Sequence, residues 1–202
     1  MTQSIKKITI VSSIPLLAVA LVAVFLTLQA NAVTTSVNST VGSIISVFTS
    51  SGTVAVNVTP TAGGVQTIAN DIITVSTNNS AGYTLKINET AGSTALVSGG
   101  NSIPATSGTF ASPIVQTVNT WGYRVDGVGS FGAGPTSAVS NAAISGSIKF
   151  AAVPVTASPD TIKTTSSTAT NDTTNVWYGV AVNTATPSGS YTNNVTYTAI
   201  AN

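Results

Sequence analysis

Beyond residue 50 the chain alternates apolar and polar positions with a period of two. Val54, Val56 and Val58 alternate with Thr53, Ala55 and Asn57, and Tyr83, Leu85 and Ile87 with Thr84, Lys86 and Asn88. Trp121, Tyr123 and Val125 alternate with Gly122, Arg124 and Asp126. Near the end, Val176, Tyr178, Val180 and Val182 interleave with Trp177, Gly179, Ala181 and Asn183, and Val195, Tyr197 and Ala199 with Asn194, Thr196 and Thr198. Successive side chains of a strand point to opposite faces, so each run predicts a strand with one buried and one wet face, as in antiparallel sheets. Turn chemistry separates them at Asn78-Asn79-Ser80-Ala81-Gly82, Asp126-Gly127 and Pro187-Ser188-Gly189. With weaker runs at 72–77, 113–118 and 144–153, the pattern predicts an all-β fold, an antiparallel sandwich of about eight strands over 52–202. The stretches 91–112 and 127–147, rich in Gly, Ser, Ala and Pro, and the Thr/Ser-rich 161–174 are expected to be surface loops.

The first 51 residues follow other rules. Lys6 and Lys7 precede an uncharged apolar run at 8–28, and Gln29-Ala30-Asn31-Ala32 follows it. A basic start, an apolar stretch and an A-x-A site make 1–32 an export signal, cleaved between Ala32 and Val33. The run is longer than the usual signal core and long enough to span a bilayer, so a retained anchor is the competing reading; Pro15, Ser12 and Ser13 shorten it. In both readings the lysines stay inside and the rest of the chain lies outside, touching the membrane only through an uncleaved segment. Mass spectrometry of the exported protein is expected to find Val33 as the first residue; a surface-located chain still carrying Lys7 contradicts cleavage. Residues 33–51 place Val41, Ile44, Ile45, Val47 and Phe48 among Ser, Thr, Asn and Gly, which are poor helix formers. They are read as an extended arm or a first strand.

Charge narrows the partners. Only 5% of residues are charged, against about 25% in ordinary globular chains, so Thr, Ser, Asn and Gly must build the wet surface. Past Ala32, Lys86, Arg124, Lys149 and Lys163 oppose Asp71, Glu89, Asp126, Asp160 and Asp172. With no basic cluster, a nucleic-acid partner is not expected.

The same inventory bears on chemistry. The chain has no His and no Cys, which removes His-based triads, His or thiolate metal sites and disulfides. Lys86, Lys149 and Lys163 sit in alternating or loop contexts without a Ser-x-x-Lys signature that would activate a hydroxyl. Asp126-Gly127 reads as a turn pair, Asp172 as a loop residue, and no calcium-loop signature surrounds Asp160 or Asp172. The expectation is a non-enzyme without cofactors. Core packing is expected of Trp121, Tyr123, Trp177 and Tyr178; Trp177, on the opposite parity, faces outward or the second sheet and is the only candidate for an exposed ring. Six sequons, at Asn38, Asn57, Asn78, Asn88, Asn171 and Asn194, are candidate glycosylation sites; Asn57, Asn88 and Asn194 fall on the polar faces of their strands.

The strings STNNSAGYTLKI (76–87), WGYRVDG (121–127), VWYGVAV (176–182) and PSGSYTNNVTYTAIAN (187–202) together resemble secreted surface proteins of ultrasmall candidate-phylum bacteria. The last is also similar to the closing strand of pilin-like and spore-coat-like immunoglobulin-type sandwiches. The resemblance covers roughly 71–202 and implies an Ig-like sandwich in an extracellular structural setting, with no catalytic residue carried over. Two classes of function follow: a structural subunit of a surface filament, pilus-like fibre or coat, self-associating by strand addition through the 33–51 arm, or a monomeric adhesin-like module that binds a glycan or host-cell surface.

Overall fold

The structure is a computed structural model that describes residues 34–202; the export signal expected over 1–32 and its cleavage site at Ala32 and Val33 lie outside the described residues. The chain divides into two units, Met1–Val41 and Gly42–Asn202. Residues 34–41, the described part of the first, carry no regular secondary structure.

The second unit is all-β. Its strands are β1 (Ile45–Thr49), β2 (Val65–Thr77), β3 (Tyr83–Glu89), β4 (Leu96–Ser98), β5 (Asn101–Ile103), β6 (Ile114–Val115), β7 (Thr120–Val125), β8 (Val139–Ala142), β9 (Lys149–Phe150), β10 (Asp160–Thr164), β11 (Ala169–Val182) and β12 (Val195–Ala201), with a single 3-10 turn at Gly129–Phe131. β2 is rich in the β-branched residues that suit a pleated, half-buried surface. One sheet runs β1-β2-β11-β7, with β8 also on β2, and a second runs β10-β3-β12. β4-β5 and β6-β9 are separate two-stranded ladders. Every ladder between these strands is antiparallel.

The spine is the pairing of β2 with β11, which runs from Val65↔Val182 to Ala169↔Thr77. Its register shifts between Ala169 and Asp172, where Asn171 takes a left-handed φ of 52°, a conformation Asn tolerates better than most residues. Ile73, Val75, Tyr123, Val176 and Tyr178 from the first sheet share one buried core with Tyr83, Leu85, Ile87 and Ile162 from the second. Trp121, Tyr123 and Tyr178 are buried as their parity predicts.

Trp177 is not exposed. Its ring is 3% accessible and forms a second core with Ile68 and Phe150 on the other face of the first sheet, flanked by Val139 and Ile148. The 127–147 stretch is therefore more than a surface loop, because it supplies β8, the 3-10 turn and part of the cover for that face. Gly122 and Gly179 sit opposite each other in β7 and β11. A Cβ on Gly179 would lie 2.6 Å from the Phe150 ring, so the missing side chain makes the slot that the ring occupies. The expected 161–174 loop likewise holds β10 and the start of β11, and 91–112 holds β4 and β5.

Sequence alternation at 54–58 predicts a strand, and here the structure differs. These residues form no strand, although Val54, Val56 and Val58 do pack against the main core. Side-chain parity belongs to any extended chain; a ladder also needs a partner edge.

Candidate functional site

The chain leaves β1 through a polar clasp. Ser50 N donates to Ile72 O at 2.9 Å, and Ser50 Oγ both accepts from Ile72 N at 2.9 Å and donates to Asp71 Oδ1 at 2.8 Å. Ser51 N adds a bond to the same carboxylate oxygen at 3.2 Å. Buried Asp71 thus turns the backbone away from the sheet edge and into 52–60.

That segment borders an open groove of about 950 Å3. Val54, Val56 and Val58 line it along one stretch of chain; Trp121, Tyr178, Val180 and Val182 come from the first sheet, and Val195 and Tyr197 from β12. The backbone around the groove is underused. Among the described residues, no N–H from Val54 to Val58 has a hydrogen-bond partner, and of their carbonyls only Asn57 O has one, accepting from Thr67 Oγ1 at 3.0 Å. Pairing resumes at Thr59, whose N–H donates to Asn141 Oδ1 at 2.7 Å, and Pro60 brings no donor. Among the described residues, β12 is an edge strand whose only ladder is with β3. The groove therefore combines apolar walls with main-chain donors and acceptors that have no partner among the described residues, the two features by which a sheet edge recruits an extended chain.

Its polar groups include the Asp71 carboxylate and two phenols. The Tyr178 and Tyr197 hydroxyls lie 2.5 Å apart. Burial holds Tyr178 well above the ordinary phenol range, with the hydrogen bond from Tyr197 working the other way. Burial also raises Tyr197, assisted by the charge and hydrogen bond of Tyr178. Two phenols held protonated can orient a ligand but are poor proton acceptors.

The carboxylates named from the sequence act as structural acceptors. Asp126 is more than a turn residue: it accepts from Trp177 Nε1 at 2.6 Å and pairs with Arg124 at 3.2 Å. Arg124, placed by parity on a wet face, is fully buried, with Phe131 5.9 Å beneath its guanidinium and Gly132 O 2.9 Å from Nη2. Asp160 accepts from Tyr123 at 2.7 Å. Asp172 accepts from Tyr83 at 2.7 Å and from Lys163 at 2.6 Å.

Burial tends to raise the Asp172 carboxyl, but the hydrogen bonds from Lys163 and Tyr83 and the Lys163 charge bring it below the usual carboxylate range. A depressed folded value means that the unfolded chain binds the proton more tightly. This increment of stability is present above about pH 4 and is lost as pH falls through the depressed value. Lys163→Met is expected to flatten the acid limb of a melting-temperature profile between about pH 5 and 2; an unchanged profile contradicts it. The difference between variant and parent isolates this group from Asp160, which burial raises while the Tyr123 hydrogen bond opposes the rise.

The residues of the expected arm part company. Ile45, Val47 and Phe48 lie in β1, paired in their own chain with Thr77, Val75 and Thr74; Phe48 remains 66% exposed. Ile44 is held at both backbone atoms, its N–H by Asn78 Oδ1 at 2.8 Å and its carbonyl by Thr77 Oγ1 at 2.7 Å. Val41 lies in the first unit, in no strand. The first-strand reading thus describes 45–49. Among the sequons, Asn38, Asn57, Asn78, Asn171 and Asn194 are exposed. Asn88 is buried at 8% and its amide donates to Glu89 O at 2.7 Å, which corrects its placement on a wet face. Asn78 is exposed but engaged, its Nδ2 donating to Gly42 O at 2.9 Å.

No family model matches the chain, and neither the curated proteins nor the solved structures yield a match.

Proposed function

We propose that this chain is an extracellular structural protein, an Ig-like sandwich that serves as a subunit of a surface filament, pilus-like fibre or coat and associates with its own kind by strand addition. The observation that carries this reading is the groove between 52–60 and β12, where apolar walls meet main-chain groups without partners. The export pattern of the first 32 residues and the near absence of charge fit an uncharged surface that tolerates close packing of many copies. The competing reading, a monomeric module for glycans or host surfaces, drew on long loops and on Trp177 as a candidate exposed ring. Trp177 is buried with Phe150, so this ring does not support it.

Negative-stain microscopy of the purified exported chain, and of surfaces that carry it, tests the proposal. Filaments or ordered arrays are expected. Isolated particles of subunit size at all concentrations contradict it.

A further inference from the structure

Within that reading, we propose that the groove is the acceptor for residues 34–41 of a second copy of the chain, which add as a strand along the free edge of β12. The donor lies upstream of β1. Rungs from Ile45↔Thr77 to Thr49↔Ile73 hold β1 in its own sheet, and the Asn78 amide closes that pairing by binding Gly42 O and Ile44 N. Residues 34–41 carry no strand and no charge.

Its two apolar residues would share one face if the segment were extended. Val37 and Val41 fall on one parity with Thr35 and Ser39, and the other parity is wholly polar, with Thr34, Ser36, Asn38 and Thr40. One face thus suits an apolar wall and the other suits solvent.

Eight extended residues span about 26 Å; Val195 and Tyr197 are the β12 residues that line the groove, so the donor meets the N-terminal part of that strand. Insertion would satisfy backbone groups on β12, and those of 54–58 where the donor reaches them, giving association a gain that a simple exchange of identical contacts lacks. Because each chain gives its donor at one place and receives at another, the contact is head-to-tail and does not close, which makes an open fibre.

The chain has no cysteine, so engineered pairs report cleanly. Val37→Cys would be combined in turn with Val195→Cys, Tyr197→Cys or Ala199→Cys, three positions on the core-facing parity of β12, and the exported chain oxidised during assembly. A ladder on a non-reducing denaturing gel, with the donor peptide linked to a β12 peptide by mass spectrometry, is the expected result. Val37→Asp with Val41→Asp, both upstream of the β1 ladder, should abolish assembly while leaving the melting temperature of the subunit unchanged. Assemblies without donor-to-β12 links, links confined within single chains, or assembly that survives the double aspartate variant would overturn this donor while leaving a structural subunit standing. Failure of the parent chain to assemble at all overturns both.

Discussion

Asp126→Ala is expected to destabilise the fold by about 3 kcal/mol, near the low end of the range for breaking a buried ion pair. The Arg124 side chain has no solvent access, whereas that of Asp126 keeps about a third of its own. Removing the carboxylate leaves a guanidinium that cannot rehydrate without opening the layer above it, and burial already disfavours its charged form despite the Asp126 charge and hydrogen bond. The same change strips the Trp177 indole of its acceptor. A double variant, Arg124→Met with Asp126→Asn, removes both charges and keeps an amide oxygen for the indole, so it should retain most of the stability that Asp126→Ala loses. Urea midpoints measure both. A loss under about 1 kcal/mol for Asp126→Ala would mean that Arg124 reaches water and that the cover over this face is loose.

Phe150→Ala is expected to cost about 3–5 kcal/mol, since the lost ring leaves a cavity that its surroundings cannot fill. Phe150 is fully buried in the slot formed where Gly122 and Gly179 face each other, and neither glycine has a side chain that can move into the gap. Gly179→Ala pushes a methyl into the ring and is expected to cost about 1–3 kcal/mol. The two changes should not add: with the ring gone the methyl has room, so the double variant should be more stable than the sum of the single losses implies. Strict additivity in a urea-unfolding cycle would show that Gly179 and Phe150 do not meet.

These two predictions concern a face that parity alone misread. Trp177, Gly179 and Ala181 share one parity of β11, and Gly122 and Arg124 share one of β7. A period of two says that such residues leave the core, but not whether another layer covers them. Small residues held a hint: glycine inside a strand marks a close approach of something else, and the long return from Asp126 to Phe150 supplies it. Arg124 gave no such hint, because its burial depends on Asp126, Gly132 and Phe131 converging through a turn that one sequence does not reveal. Where a strand has one buried face and a plain partner, the reading was direct. Tyr83, Leu85 and Ile87 of β3 and Tyr123 of β7 point inward as their alternation requires.

The groove was only half legible. The valine comb at 54, 56 and 58 stood out in the alternation, and its packing on the core agrees with it. That its backbone goes unpaired was not legible, because hydrogen bonding depends on which edge the segment meets after the Ser50–Asp71 clasp. The clasp itself joins residues too far apart in sequence for any local pattern to connect.

Amide hydrogen exchange on the unassembled subunit tests that arrangement most directly. Fast exchange is expected at the Val54–Val58 amides, beside strong protection along β2 and the paired part of β11, and protection at 54–58 should rise on assembly wherever an added strand reaches them. Protection of the 54–58 amides in the isolated subunit equal to that of β2 would contradict it, because the segment would then be a paired strand and the groove closed.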